Sequence, residues 1–310
     1  MAVTTTALVL GGGVGGERDV SIAGATAVAD ALAAHGQYSV EKRIIETVTR
    51  SQLASMPGDV IVPIVHGPWG EGGPLQEMLA ADGRPFVGSG PRAARLAMDK
   101  IALKFFAQQL GVRTAVAAIL DPEDGACPLS LPVILKPIRE GSTVGLHVCR
   151  TPESWRTARA ESLRRGSPYM VEPLIAGREL TVAVMGDHAL PVIEIAAPDG
   201  LYDYEAKYTR DDTSYVIDPE LPDGVRERIQ SDAVRMAREI GVRHLARVDF
   251  MLDLAGEPWL LELNTMPGFT DHSLVPMAAR ANQNDPLDMP ALCARLVDMA
   301  MADITAETSV

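Results

Sequence analysis

Ala246-Arg-Val-Asp249-Phe-Met-Leu252-Asp253-Leu-Ala-Gly256-Glu-Pro258-Trp-Leu-Leu-Glu262-Leu-Asn264 is the stretch on which the fold turns. Two apolar-rich runs, Ala246 to Leu252 and Pro258 to Asn264, flank the turn-forming Asp253 to Gly256, so the segment predicts a β-hairpin. Residues two apart share a strand face, which pairs Arg247 with Asp249 on one strand and Glu262 with Asn264 on the other. Closing the hairpin brings Asp249 towards Glu262. Asp, Glu and Asn without His or Cys form an oxygen-donor set for a hard cation, most simply magnesium carried with ATP. A plain solvent face explains the trio less well, because Leu261 and Leu263 are expected to occupy the opposite side.

Upstream lies Leu131-Pro-Val-Ile-Leu-Lys136-Pro-Ile-Arg-Glu-Gly141-Ser142-Thr143-Val144-Gly145, in which a strand ends in a lysine and a Gly-Ser-Thr-Gly loop follows. Such a loop can fold backbone N–H groups and hydroxyls over phosphates while the lysine supplies charge. An ordinary hairpin with an exposed lysine accounts for these residues equally well by themselves, and the carboxylate hairpin breaks the tie. The chain has no Gly-Lys pair and therefore no Walker A loop. Short β-rich segments are expected at 133–136, 144–149, 169–172 and 179–185, with a charged helix around Val225 to Ile240. A helix is expected from Asp99 to Leu110.

The first part of the chain alternates differently. Strands are expected at Ala7 to Leu10, Ser39 to Ile45 and Val60 to Val65, with a helix from Ser21 to Ala34, a βαβ rhythm that implies a parallel, doubly wound sheet. Gly11-Gly-Gly13-Val-Gly-Gly16 formally matches the dinucleotide fingerprint, which would suggest a nicotinamide-dependent oxidoreductase. Two carboxylates, Glu17 and Asp19, nevertheless stand at the helix start, where a pyrophosphate needs positive potential. Glu41 and Glu46 also fit the ribose-binding position poorly. A carboxylate at residue 17 suits an ammonium group instead.

The 310 residues are 47% apolar and 22% charged, enough for two or three domains with proper cores. A net charge of −13 argues against nucleic acid and anionic membranes as partners. The cysteines Cys127, Cys149 and Cys293 are far apart and form no zinc or disulfide pattern. The N-terminus lacks the features of a signal peptide and no apolar run approaches a membrane span, so a soluble, cytoplasmic protein is expected. No Ser-His-Asp or Cys-His arrangement stands out.

In order along the chain, the motifs resemble the D-alanine–D-alanine ligases of the ATP-grasp superfamily. They run from Gly-Gly-x-x-x-Glu17-Arg18-x-Val-Ser21 through His66-Gly, Glu71-Gly, Leu75-Gln76, Gly88-Ser-Gly90 and Met98-Asp99-Lys100 to Lys136-Pro and Arg139-Glu-Gly-Ser142. Tyr202-Asp-Tyr-Glu-Ala-Lys207-Tyr208, Glu262-Leu-Asn264-Thr and His272-Ser273-Leu-Val-Pro-Met-Ala complete the series. The resemblance implies an α/β chain with α+β lobes, an ATP-grasp fold carrying a Rossmann-like parallel-sheet domain at its N-terminus. Residues 1–97 would hold the first D-alanine and a dimer contact, 98–178 the phosphate loop and adenine hinge, and 179–310 the metal, lid loop and second D-alanine.

The same resemblance implies the roles of individual residues. Lys100, Lys136 and Lys207 would contact ATP phosphates, with Ser142 in the covering loop, Glu172 at the adenine hinge and Glu179 on the ribose. Asp249, Glu262 and Asn264 would bind two Mg²⁺ ions, with Mn²⁺ as an alternative. Glu17 would hold the ammonium of the first D-alanine with His66 nearby, although His66 by itself reads as easily as a structural residue. Arg247 and the Gly268 backbone would stabilise an oxyanion, and Ser273 would hold the second carboxylate. Glu17, Ser142 and Tyr208 would form a linked triad closing a lid, for which the clustered Tyr202, Tyr204, Tyr208 and Tyr215 are candidates.

Two departures bear on substrate range. Gly15 stands where relatives have serine, which would loosen contacts around Glu17, and Phe269 replaces a more usual methionine, adding bulk near the second-substrate pocket. The rivals are a ligase for another D-amino or D-hydroxy acid, a weakly catalytic nucleotide-binding paralogue, and the nicotinamide enzyme. The family commonly forms homodimers through its N-terminal lobe, and a homodimer is expected here on that basis.

Overall fold

Thr6 to Gly12 is apolar on both faces, as a central parallel strand must be, and in the computed structural model, which describes residues 4–196, 213–270 and 273–307, it forms β1. It is followed by α1 (Arg18–His35), β2 (Ser39–Ile45), α2 (Arg50–Ser55), β3 (Val60–Val65), α3 (Gly67–Gly70), α4 (Pro74–Asp82) and α5 (Pro91–Met98). The sheet order is β2-β1-β3, all parallel. The first glycines of the run are used up in packing. A Cβ on Gly11 would lie 2.4 Å from the Ala25 Cβ on α1, and one on Gly12 would lie 2.2 Å from the Ile45 carbonyl. Arg18 turns back to donate to the Gly13 and Ile45 carbonyls, at 2.9 Å each. The turn that mimics a dinucleotide fingerprint is thus a close approach of helix to sheet, pinned by an arginine.

After α6 (Lys100–Gln109) comes a four-stranded antiparallel sheet built from β4 (Ala118–Ile119), β5 (Val133–Pro137), β6 (His147–Cys149) and β7 (Tyr169–Pro173), in the order β4-β7-β5-β6. Between β6 and β7, α7 (Pro152–Arg165) covers one face, burying Trp155 and Ala158 against Val133, Leu135 and Val171. The strand expected at 144–149 is shorter than its apolar content suggests. Ser142 and Thr143 adopt left-handed φ values of 50° and 62°, and Gly145 follows at 73°, so residues 142–145 curl into turns.

The third sheet contains β8 (Gly177–Met185), β9 (His188–Ala189), β10 (Ile193–Ala196), β11 (Ser214–Ile217), β12 (Leu245–Asp253) and β13 (Pro258–Asn264), with α8 (Val225–Ile240) between β11 and β12. Its order is β11-β10-β8-β12-β13, with β9 on β8. Two helices end the chain, α9 (Leu274–Ala281) and α10 (Met289–Glu307). α5, α6 and α8 bury Ala97, Leu103 and Met236 against this sheet. α10 packs on α1, and α9 on β8 and α10, in one core that extends from Val9 and Val28 to Leu292 and Val297. Among the described residues no helix is long and apolar enough to cross a membrane.

The hairpin forms with the expected register, Arg247 opposite Asn264 and Asp249 opposite Glu262. A bulge follows, for Phe250 pairs with Leu260, which leaves Leu261 as an extra residue on its strand. Leu260 and Leu263 therefore supply the buried face, while Leu261 comes round to line a cleft with Glu262. The expectation that Leu261 sits opposite the acidic pair fails because a bulge resets the two-residue period.

Candidate active site

Two cavities adjoin where the sheets meet, and Gly141 and Glu262 line both. The smaller, about 60 Å³, lies between Glu17, His66, Glu71, Arg247, Gly268 and Ser273. The larger, about 340 Å³, is lined by Lys100, Lys136, Glu172, Glu179, Asp249 and Leu261 among others.

Glu17 occupies the N-terminal cap position of α1, beyond the carboxyl end of β1, where parallel sheets place ligands. The Ser142 hydroxyl donates to its carboxylate, joining residues 125 apart in sequence. Gly141 and Gly67 flank it, and a Cβ on either would come within 3.4 Å or 3.5 Å of its oxygens. The two glycines leave room for the carboxylate and whatever it binds. Gly15 has φ +105°, suited to glycine, and a Cβ there would face open space. The described side-chain support of Glu17 comes from Ser142.

His66 follows β3 and is buried. Burial lowers its pKa, and Arg247 adds to this while Glu17 and a hydrogen bond to the Met266 backbone oppose it. The ring is therefore held neutral, and its buried Nε2 has no hydrogen-bond partner among the described residues. An orphaned nitrogen on the lining of a cavity favours a binding role over a purely structural one. Glu71, given no role from sequence, lies beside it. Burial first, and the Glu17 carboxylate second, raise its pKa to about 8, against the pull of the Gly67 N–H and Arg247. Its Oε1 accepts from Gly67 N–H at 3.1 Å.

In the larger cavity, Glu172 is buried between two lysines, Lys136 and Lys104, the latter at 2.7 Å. Burial alone would raise the Glu172 pKa, but Lys136 and then Lys104 outweigh it and keep the group ionised. Lys104 also donates to Thr114 Oγ1 at 3.0 Å and to the Ala115 carbonyl at 3.2 Å. Sequence reasoning missed it, although it stands one helical turn after Lys100 on α6. Lys100 itself donates to the Glu140 carbonyl at 2.7 Å and lies 3.3 Å from Glu262.

Asp249 is the hub of the hairpin site. It accepts from Arg247 Nε at 2.9 Å and Nη2 at 2.7 Å, from Thr181 Oγ1 at 2.6 Å and from Asn264 Nδ2 at 3.2 Å. Arg247 thus holds a carboxylate on one side and lines the small cavity on the other. Among the described residues no cluster of three or more His, Cys, Asp or Glu could hold a metal alone. Asp249, Glu262 and Asn264 offer two carboxylates and an amide, a donor set that fits a hard cation completing its shell with phosphate oxygens.

Gly268 and Ser273 come together, since a Cβ on Gly268 would stand 2.9 Å from Ser273 Oγ. That oxygen accepts from Thr270 N–H at 2.8 Å, and Ser273 occupies the cap position of α9. Phe269 stands between the lining residues Gly268 and Thr270 but does not itself line the cavity; it is 1% exposed and packed in the core shared with α1. Tyr215, grouped with the lid tyrosines, sits in β11 opposite Ile195 and packs against that same core. Lys207 and Tyr208, with Tyr202, Tyr204 and His272, lie outside the described residues.

A family model described as D-ala D-ala ligase C-terminus matches residues 122–298. Among curated relatives, a D-alanine–D-alanine ligase of Bordetella petrii is 45% identical over 283 residues, covering 88% of this chain and 86% of that one. The solved D-alanyl-alanine synthetase A of Vibrio cholerae superposes with a TM-score of 0.83 at 26% identity, covering 97% of this chain and all of its own. The D-alanine–D-alanine ligase of Coxiella burnetii gives a TM-score of 0.83 at 24% identity, over 99% of this chain and 96% of that one, and speaks to the ATP-grasp fold alone.

Proposed function

The chain belongs to the D-alanine–D-alanine ligase family, ATP-dependent ligases that make D-alanyl-D-alanine for peptidoglycan synthesis, and we propose that it joins two D-alanines through a D-alanyl phosphate. The observation that carries this reading is the meeting of Glu17 with Ser142. It sets an ammonium-binding carboxylate under a phosphate-covering loop, so that amino acid and nucleotide share one water-poor space. The nicotinamide alternative has no such support, since Gly11 is packed against α1 and Gly12 against Ile45 and Arg18.

Glu17 binds the ammonium of the first D-alanine, with His66 beside it, and directs its carboxylate towards the γ-phosphate. Lys100, Lys136 and Lys207 neutralise the phosphates, Ser142 closes over them, Glu179 holds the ribose and Glu172 meets the adenine. Asp249, Glu262 and Asn264 would hold two Mg²⁺ ions, which would supply charge screening for the triphosphate. A carboxylate oxygen attacks the γ-phosphorus and ADP leaves. The amine of the second D-alanine, its own carboxylate held by Ser273 at the start of α9, then attacks the acyl carbon. Arg247 and the Gly268 N–H stabilise the tetrahedral oxyanion, the attacking nitrogen loses its proton, and phosphate departs with the oxygen it received. Tyr208 closes the lid with Glu17 and Ser142.

Residues 1–97, 98–178 and 179–310 act as the first-substrate, nucleotide-covering and metal-bearing units. The enzyme works as a cytoplasmic homodimer joined through its N-terminal lobe, which light scattering on the eluting species tests. Phosphate release from Mg-ATP is expected with D-alanine and not L-alanine, with a product of D-alanyl-D-alanine mass. Release that ignores D-alanine but responds to another D-amino or D-hydroxy acid would overturn the substrate assignment.

A further inference from the structure

Outside the site, a polar joint closes the seam between the first and third sheets. Phe86 and Val87 run beside β3, with the Val87 N–H on the Ile61 carbonyl at 2.9 Å and the Ile61 N–H on the Pro85 carbonyl at 2.9 Å. Gly88 comes next. Facing it are Arg243 and His244, which lead into β12, the strand of Arg247 and Asp249. His244 is 5% exposed and has a φ of 61°, a conformation costly to any residue with a Cβ.

Its ring explains why the conformation is kept. The Nδ1 atom accepts the Gly88 N–H at 3.0 Å, and Nε2 lies 3.0 Å from Asp303 on α10. With one nitrogen accepting, the proton of the neutral ring sits on the other, so Nε2–H donates to Asp303. Arg243 donates to the Gly88 carbonyl from Nε at 3.2 Å and Nη2 at 3.0 Å, reaches Asp303 at 3.2 Å and stacks over Phe86 at 4.5 Å. Both backbone polar groups of Gly88 are thus held by consecutive residues of the other lobe. Gly88 in turn abuts Met266, for a Cβ on it would stand 2.8 Å from Met266 Cε. Met266 lines the small cavity, and its backbone holds His66.

We propose that His244, steadied by Asp303, is a positioning residue that sets the first lobe against β12, so that Glu17 and His66 face Arg247 across the amino-acid cavity. The nucleotide cavity takes no lining residue before Lys100, so it lies outside the reach of this joint. The kinetic half of the proposal rests on the ligase reading; the structural half stands without it.

The test compares His244→Gly, which removes both strain and ring, with His244→Asn, which tolerates the left-handed conformation and offers an oxygen to the Gly88 N–H. His244→Gly is expected to raise the KM for D-alanine roughly tenfold while ADP binds as in the parent, and His244→Asn to recover most of the loss. Amide exchange should quicken at Gly88 and at residues 265–268 in the glycine variant and stay unchanged in β5 and β7. Parental KM with parental exchange would overturn the proposal, and so would loss of ADP affinity in step with D-alanine. If the unaltered enzyme ignores D-alanine, the ligase reading fails, and the exchange comparison still decides the joint.

Discussion

Glu71 lies buried in the field of Glu17 and Glu262, and no apolar pattern in the sequence marks it. Its pKa of about 8 stands above the ordinary 4.5, so folding takes up a proton between those values. The associated stability is complete below the unfolded pKa and lost as pH rises through the folded one. Thermal melting of the ligand-free parent should therefore fall, relative to Glu71→Gln, as pH rises from about 4.5 to about 8; parallel melting curves would show that folding leaves the Glu71 pKa unshifted. Arg247, tied to Asp249 yet facing the substrate cavity, should cost about 10²–10³ in kcat when replaced by alanine, measured as D-alanine-dependent phosphate release. Near-parental turnover would remove it from the oxyanion site. Glu17, Arg247 and Asp249 could be picked from the sequence because charged residues interrupt glycine-rich or apolar runs there. Glu71 and Lys104 could not, since their significance comes from burial and from neighbours distant in the chain.

The start of α6 shows how an element positions a loop. Asp99 caps the helix through the Ala102 N–H at 3.0 Å and also accepts from Arg139 at 2.8 Å, tying the helix to the segment before Gly141. Asp99→Ala should cost about 1 kcal/mol of stability from the lost cap, read by urea unfolding, and should raise the KM for ATP severalfold. Unchanged ATP kinetics would mean the tether does not place the phosphate loop; the exposed arginine adds little stability of its own. β2, β3 and β13 match their sequence expectations to the residue, and α8 lies where a charged helix was expected, because apolar periodicity and turn residues mark their ends. β6 and Leu261 did not, for left-handed residues at 142 and 143 and a bulge in β13 leave apolar periodicity unaltered.

α10 ends the described chain yet packs on α1, so the first and third sheets share a core that includes Phe269. Phe269→Ala should lose about 3–5 kcal/mol and leave the choice between D-alanine and bulkier D-amino acids unchanged. A shift in that choice with parental stability would return Phe269 to the pocket. The order of motifs along the chain made the family and its three sheets readable, whereas the cross-lobe core and the His244 joint join segments too far apart for any local pattern to reveal. The central claim is that ATP activates a D-alanine carboxylate inside this site. Turnover of D-alanine labelled with ¹⁸O in its carboxylate, followed by mass analysis of the phosphate, tests it most directly. One labelled oxygen is expected in each phosphate released; phosphate free of label would contradict an acyl phosphate.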